Sequence, residues 1–275
     1  MEGWKLQPAP RVRPVRQKVP DGVTQGPLRH EELYFDGEHI TLALGPRPTL
    51  FRVLRSLLVT QSDAFRDMLG IPQPGDETPE GSSDTNPVHL PDDPDDFACL
   101  LKFYYQHFLV TSLSKKPPCA FVLSVWRVSS KYLFHKASEW ALEHLRDEWL
   151  EIPHKTPATG QTTRDALLLI LTSRSVGSTE FLPSAFYHLC ALQPDDWDTS
   201  FVSEGCQGLA RSDLVLLAKG SRAWTLAWGV WCMKRRDFYV NVTSSSAALQ
   251  SSKDFLSDQS VVRGVLEAMG FERAG

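Results

Sequence analysis

Strand-like alternation in this chain is confined to the residues before Pro91, and that limit does most to fix what the chain can fold into. Ile40, Leu42 and Leu44 alternate with Thr41 and Ala43, which turns one side of a strand inward. Leu33-Tyr34-Phe35 reads as a strand just before it, and Asp36-Gly37 between the two is a hairpin signal. Leu50 to Val53 and Val88 to Leu90 are short extended runs. Beyond the linker at 151–163 the sequence reads as stacked short helices. The expected class is α+β, a small sheet with helices followed by an all-helical region.

The helical segments carry their own start signals. Leu54, Leu57 and Leu58 stand at helical spacing, and Ser62 can cap a second helix whose stripe is Phe65, Met68 and Leu69, stopping at Gly70. Asp92-Asp93-Pro94-Asp95-Asp96 opens another, because carboxylates suit the positive end of a helix and proline its first turn. The run could also be metal-ligating, but it lacks the glycine and glutamate spacing of a calcium loop. Val122, Val125, Trp126, Ser129 and Leu133 mark one more helix, and Ala137, Ala141, His144 and Leu145 the next, with His144 expected as a hydrogen-bonded core histidine. Later helices are expected through Ala166 to Leu171, from Glu180 to Leu192 capped by Thr179, from Ser203-Glu204 toward Ala210, after Ser212-Asp213, and from Phe255 to Met269 with Leu256, Val262, Leu266 and Met269 inward. Ala223 to Met233 is apolar and aromatic on nearly all sides and reads as a buried helix.

Punctuation divides the chain into a basic, proline-rich tail (1–30), an α/β unit (31–150), a linker (151–163) and a helical region (164–275). The tail reads as solvated, or as a basic arm for acidic partners. Residues 71–87 hold several prolines and four acidic residues with no lysine or arginine, the composition of a mobile acidic loop.

Composition narrows the function classes. With 29 basic residues against 33 acidic ones the net charge is −4, which argues against a nucleic-acid wrapper. Five cysteines with no C-x-x-C pair suggest free thiols in a reducing, intracellular compartment, nucleus or cytoplasm. No apolar run reaches the ~20 residues of a membrane span. Nucleophile elbows, phosphate loops, dinucleotide fingerprints and H-E-x-x-H are absent, so no catalytic residue, metal ligand or cofactor is assigned.

One ordered series remains. Leu33-Tyr34-Phe35-Asp36-Gly37, Leu50-Phe51-Arg52-Val53 with Leu54, Leu57 and Leu58, Ser62 to Leu69, Val88-His89-Leu90, Phe97 to Leu101 and Lys131-Tyr132 follow one another. The series resembles the BTB/POZ domain over about Glu31 to Leu150. Phe65-Arg66-Asp67-Met68-Leu69 followed by Pro72-Gln73-Pro74 and Glu80-Gly81-Ser82-Ser83-Asp84 is most similar to the stand-alone BTB proteins of mushroom-forming fungi. Phe181 to Phe186 and Ser203-Glu204-Gly205 extend that resemblance into the second half.

The resemblance implies a protein-interaction protein that buries an apolar helix-and-strand face against a second copy or a protein partner. By position it places Glu32, Phe51, Leu54, Arg55 and Leu58 near that face, although Phe51 and Leu58 also fit an intrachain core. Leu54 stands where the family has histidine, and Glu32 where it commonly has aspartate. The long connection from Gly70 to Pro87 and Tyr105-Gln106-His107 both depart from the pattern beside the family's cullin-binding surface. A cullin-linked substrate adaptor in ubiquitin transfer, and a transcriptional regulator, are the alternative readings.

Overall fold

The computed structural model describes residues 28–34, 39–71, 79–112, 117–150, 160–191, 208–234, 255 and 258–271. A hairpin lies at its centre. Strands β2 (His39–Leu44) and β3 (Thr49–Leu54) pair antiparallel from His39↔Leu54 to Leu44↔Thr49, around the Gly45–Pro48 turn. β4 (Val88–Leu90) joins β2 in parallel, and β1 (Leu28–Tyr34) joins β3 in parallel, giving the order β1-β3-β2-β4. The fold is mixed α+β, as expected. Two expectations about β1 are corrected. It begins at Leu28, inside the segment read as tail, and it pairs with β3 rather than forming a hairpin with β2. The Asp36-Gly37 turn and residues 1–27 lie outside the described residues.

Helices α1 (Arg55–Gln61) and α2 (Asp63–Gly70) follow β3. Ser62 separates them as expected: its hydroxyl accepts from Phe65 N at 3.0 Å and donates to the Tyr132 carbonyl at 2.6 Å. α3 (Pro94–Ser112) starts where Asp93 accepts from Asp95 N and Asp96 N, at 2.8 and 3.3 Å. This is the capping role, and it puts proline in the first turn. α4 (Cys119–Lys131) and α5 (His135–Trp149) complete the first half. The inward face of the sheet (Leu42, Phe51, Val53) meets Phe97 of α3, which with Phe65, Tyr132 and Phe134 builds an aromatic core of ring contacts at 5.1–6.3 Å.

The turn before β4 lies in the segment expected to be a mobile acidic loop, and its described residues bond to the sheet. Gly81 accepts from Thr41 N at 2.8 Å and donates to Asn86 O at 2.6 Å, continuing the edge of β2 beyond β4. Asp84 then reaches past β2 and β3 to β1, where it accepts from Arg29 Nη2 at 2.6 Å and from the Tyr34 hydroxyl. Backbone hydrogen bonds and one carboxylate thus order residues 79–87 without apolar content. Residues 72–78 of the expected loop lie outside the described set. On β2, Thr41 and Ala43 are as buried as Ile40 and Leu42, so the strand is covered on both faces.

α6 (Gly160–Val176), α7 (Leu182–Cys190), α8 (Arg211–Lys234) and α9 (Gln259–Met269) make the second half. α6 already begins inside the expected linker. α7 starts two residues later than expected, with Pro183 in its first turn and no side-chain cap. α9 begins after an Asp258 cap and ends on left-handed Gly270; its most buried residues are Val261, Val265 and Met269, with Val262 and Leu266 only partly buried. The helix expected from Ser203-Glu204 lies outside the described residues.

The two halves share one joint. Trp126 of α4 meets Phe181 edge-on at 5.6 Å. Arg127 spans from Asp96 Oδ2 at 2.6 Å to Thr172 Oγ1 of α6 at 2.8 Å. Arg146 of α5 pairs with Glu180 at 2.7 Å, and Trp149 lies edge-on to His188 of α7 at 5.9 Å.

Candidate functional site

The corner where β3 ends and α1 begins holds the residues assigned from sequence. Leu54 is the last residue of β3 and has no side-chain capping function. Its own N–H donates to the Tyr105 hydroxyl of α3 at 3.1 Å, which fixes the angle of strand to helix. Burial pushes the Tyr105 hydroxyl pKa up, so it stays protonated. Arg55 turns away from the core and donates to the Leu69 carbonyl at 2.8 Å. A cation there satisfies an open carbonyl in the last turn of α2 and complements the negative end of that helix.

The five assigned residues therefore divide. Phe51 and Leu58 are wholly buried: Phe51 between His30 and Phe97 at ring distances of 4.8 and 6.1 Å, Leu58 as the buried residue of α1. Their place is the intrachain core, and they present no surface. Leu54, 40% exposed, and Arg55 do. Glu32 lies in β1, and its side chain is outside the described set.

Beside Leu54 and Arg55 opens a groove of about 310 Å³. His39 and Ile40 of β2, Arg55, Leu69 and Ile71 after α2, and the turn Pro79–Ser82 line it. Ile71 is 66% exposed, and Met68 adds a further exposed apolar side chain on α2. The groove thus joins an apolar floor to one cation, Arg55, and one carboxylate, Glu80, a mixture suited to a folded or extended polypeptide.

Sequence reasoning missed the residues that tie the turn carrying Pro79–Ser82 to β1. Tyr34, Asp84 and Arg29 clamp the turn onto β1, with the Arg52 guanidinium 5.8 Å from the Tyr34 ring centre. The Tyr34 hydrogen bond, backed by Arg29, holds the Asp84 carboxyl below the usual carboxylate range. The one available signal was Glu80-Gly81-Ser82-Ser83-Asp84 itself, a glycine and an acid three residues apart in a segment without apolar periodicity. Gly81 has φ +83°, and a Cβ there would lie 2.4 Å from Ile40 Cγ1, so only glycine lets the turn seat on β2.

Other polar clusters are structural. Asp92 accepts from Lys131 Nζ at 2.7 Å and from the Tyr132 hydroxyl. Asp63 pairs with Arg66 and His135, and the His135 hydrogen bond is the larger reason its carboxyl lies below the ordinary range. His144 Nδ1 lies 2.9 Å from the Trp140 carbonyl. Among the described residues no group of three His, Cys, Asp or Glu side chains could hold a metal ion, and no helix is long and apolar enough to cross a membrane. Cys119 and Cys190 are buried, and burial pushes the Cys190 thiol up to about 11. No protein-family model, curated protein or solved structure matches this chain.

Proposed function

We propose that this chain is a protein-interaction protein without catalytic activity, whose first half is a BTB/POZ-like unit that binds a second copy or a protein partner. The observation that carries the reading is the β3–α1–α2 corner. Leu54, Met68 and Ile71 stay exposed around a groove whose walls are held from behind by Tyr105, Arg55 and the Asp84 clamp. A preformed apolar surface of this kind loses less ordering entropy on association than a mobile one. Burying it against a copy of itself removes apolar area from water on both sides at once, and a stable pair typically covers about 1,600 Å² in total.

Size-exclusion chromatography with light scattering tests the self-association. A dimer at tens of micromolar is expected, weakened in Leu54→Asp, whose site is exposed and leaves the core intact. A strict monomer across that range refutes the homodimer and leaves only the heterologous partner.

A further inference from the structure

Ala223 to Met233, the later part of α8, was expected to be a buried helix, yet Leu226, Val230 and Met233 are exposed. The inward face of α8 is well occupied: Trp224, Trp228 and Trp231 lie in a row against Phe255, with ring centres 4.7–5.5 Å from it, and Gly220 lets Cys190 and Met269 approach the helix closely. The outward face carries Val215, Lys219, Arg222, Leu226, Val230 and Met233, all exposed, with Leu226 at 62% and Met233 at 74%. Steps of four, three, four, four and three residues place these six in one row along the helix. The row runs about 27 Å at 1.5 Å per residue. Asp213 is the only acidic residue of α8, and it is buried in a pair with Arg174 at 2.6 Å. Neither Lys219 nor Arg222 forms an ion pair among the described residues, so two cations stand uncompensated inside an apolar row.

We infer that this row is a second docking surface, distinct from the β3–α1–α2 corner, and that its partner is an amphipathic helix whose own seam carries carboxylates between apolar residues. A single straight seam matches a helix, which can set apolar knobs against Val215, Leu226, Val230 and Met233. Carboxylates on that helix would compensate Lys219 and Arg222 where no residue of α8 does. A lipid surface fits less well, because the cations sit within the apolar row rather than opposite it and would be carried into hydrocarbon with it. A second copy packed antiparallel through α8 would gather four cations at the crossing with no carboxylate between them.

The test is fluorescence anisotropy of the full chain with two synthetic peptides of about 20 residues, long enough as helices to span the row. Both carry leucine at the apolar seam positions; one has glutamate and the other lysine at the two positions facing Lys219 and Arg222. The expected result is at least tenfold tighter binding of the glutamate peptide, a tenfold loss in Leu226→Glu, and a reversed preference in the double variant Lys219→Glu/Arg222→Glu. These side chains are exposed, and circular dichroism confirms that the variants fold. Equal binding of the two peptides, no binding of either, or an unreversed preference in the double variant overturns the inference. So does binding to phosphatidylserine vesicles through the same residues without peptide preference, or self-association that Leu226→Glu abolishes.

Discussion

His188 offers the sharpest physical test of how the two halves are joined. Its ring is 6% exposed on α7, edge-on to Trp149 of α5, and its Nε2 has no hydrogen-bond partner among the described residues. Burial alone pushes its pKa down from 6.5 to about 4. The folded chain therefore keeps the imidazole neutral over a range in which the unfolded chain protonates it. Between these two values the unfolded state binds the extra proton, so stability falls as pH falls, by about 1.4 kcal/mol per unit. From pH 7.5 to 5 this one group removes about 2 kcal/mol, and the loss approaches about 3 kcal/mol below pH 4. For a chain of this size 2 kcal/mol corresponds to a drop of about 4–8 °C in Tm. Other groups also titrate, so the informative quantity is the difference between wild type and His188→Leu, in which every other group cancels. Urea unfolding followed by tryptophan fluorescence at several pH values gives that difference. Wild type should lose about 2 kcal/mol relative to the variant between pH 7.5 and 5. Parallel stability curves would refute the reasoning, since they would mean that His188 has the same proton affinity folded and unfolded.

Two further substitutions probe how the surfaces are built. Gly81→Ala places a Cβ 2.4 Å from Ile40 Cγ1 at φ +83°. Left-handed strain and the clash together should destabilise by about 2–4 kcal/mol, and a change below about 0.5 kcal/mol in urea unfolding would show that the turn is not seated on β2. Phe255→Ala removes a fully buried ring from between Trp224, Trp228 and Trp231. It should cost about 3–5 kcal/mol and shift tryptophan emission to the red. Unchanged emission would mean that the ring does not shield these indoles.

What could be read in the sequence was local chemistry. The Ser62 cap, the Asp93-Pro94 start of α3, the β2 and β3 strands and the backbone-bound His144 each depend on residues within four or five positions, and each was legible. The misreadings arise where a distant segment decides. Asp36-Gly37 favours a local hairpin, yet β1 gains a parallel partner in β3 that no short-range pattern announces. Residues 79–87 lack apolar content, and it is backbone bonds from Gly81 and the Asp84 carboxylate, held by Arg29 and Tyr34 of β1, that tie them to the sheet. Ala223 to Met233 is apolar all round, so no amphipathic phase marks its outward face; the position of Phe255 and α9 determines which face is covered. In α9 the pairs Val261/Val265 and Val262/Leu266 have the same spacing, and a rotation of one residue selects between them. At the candidate site, Leu54 and Arg55 were found by position, whereas the burial of Phe51 and Leu58 depends on Phe97 and the helices that follow.

The joint between the halves bears on both proposed surfaces. Sequence punctuation separates residue 150 from residue 164, but Trp126 meets Phe181, Trp149 meets His188 of α7, and Arg127 links Asp96 of α3 to Thr172 of α6. A first half cut free at the linker would expose two indoles and leave Arg127 without Thr172, so the natural unit of folding includes both halves. The β3–α1–α2 corner and the α8 row are thus carried on one body, not on two units joined by a flexible tether. A partner touching both must match a set spacing. Where it does, the second contact forms at high effective concentration and adds avidity; where it does not, the two surfaces serve different partners. Protonation of His188 acts on that same joint, so acid would loosen the relation between the surfaces before it altered the residues that form either one.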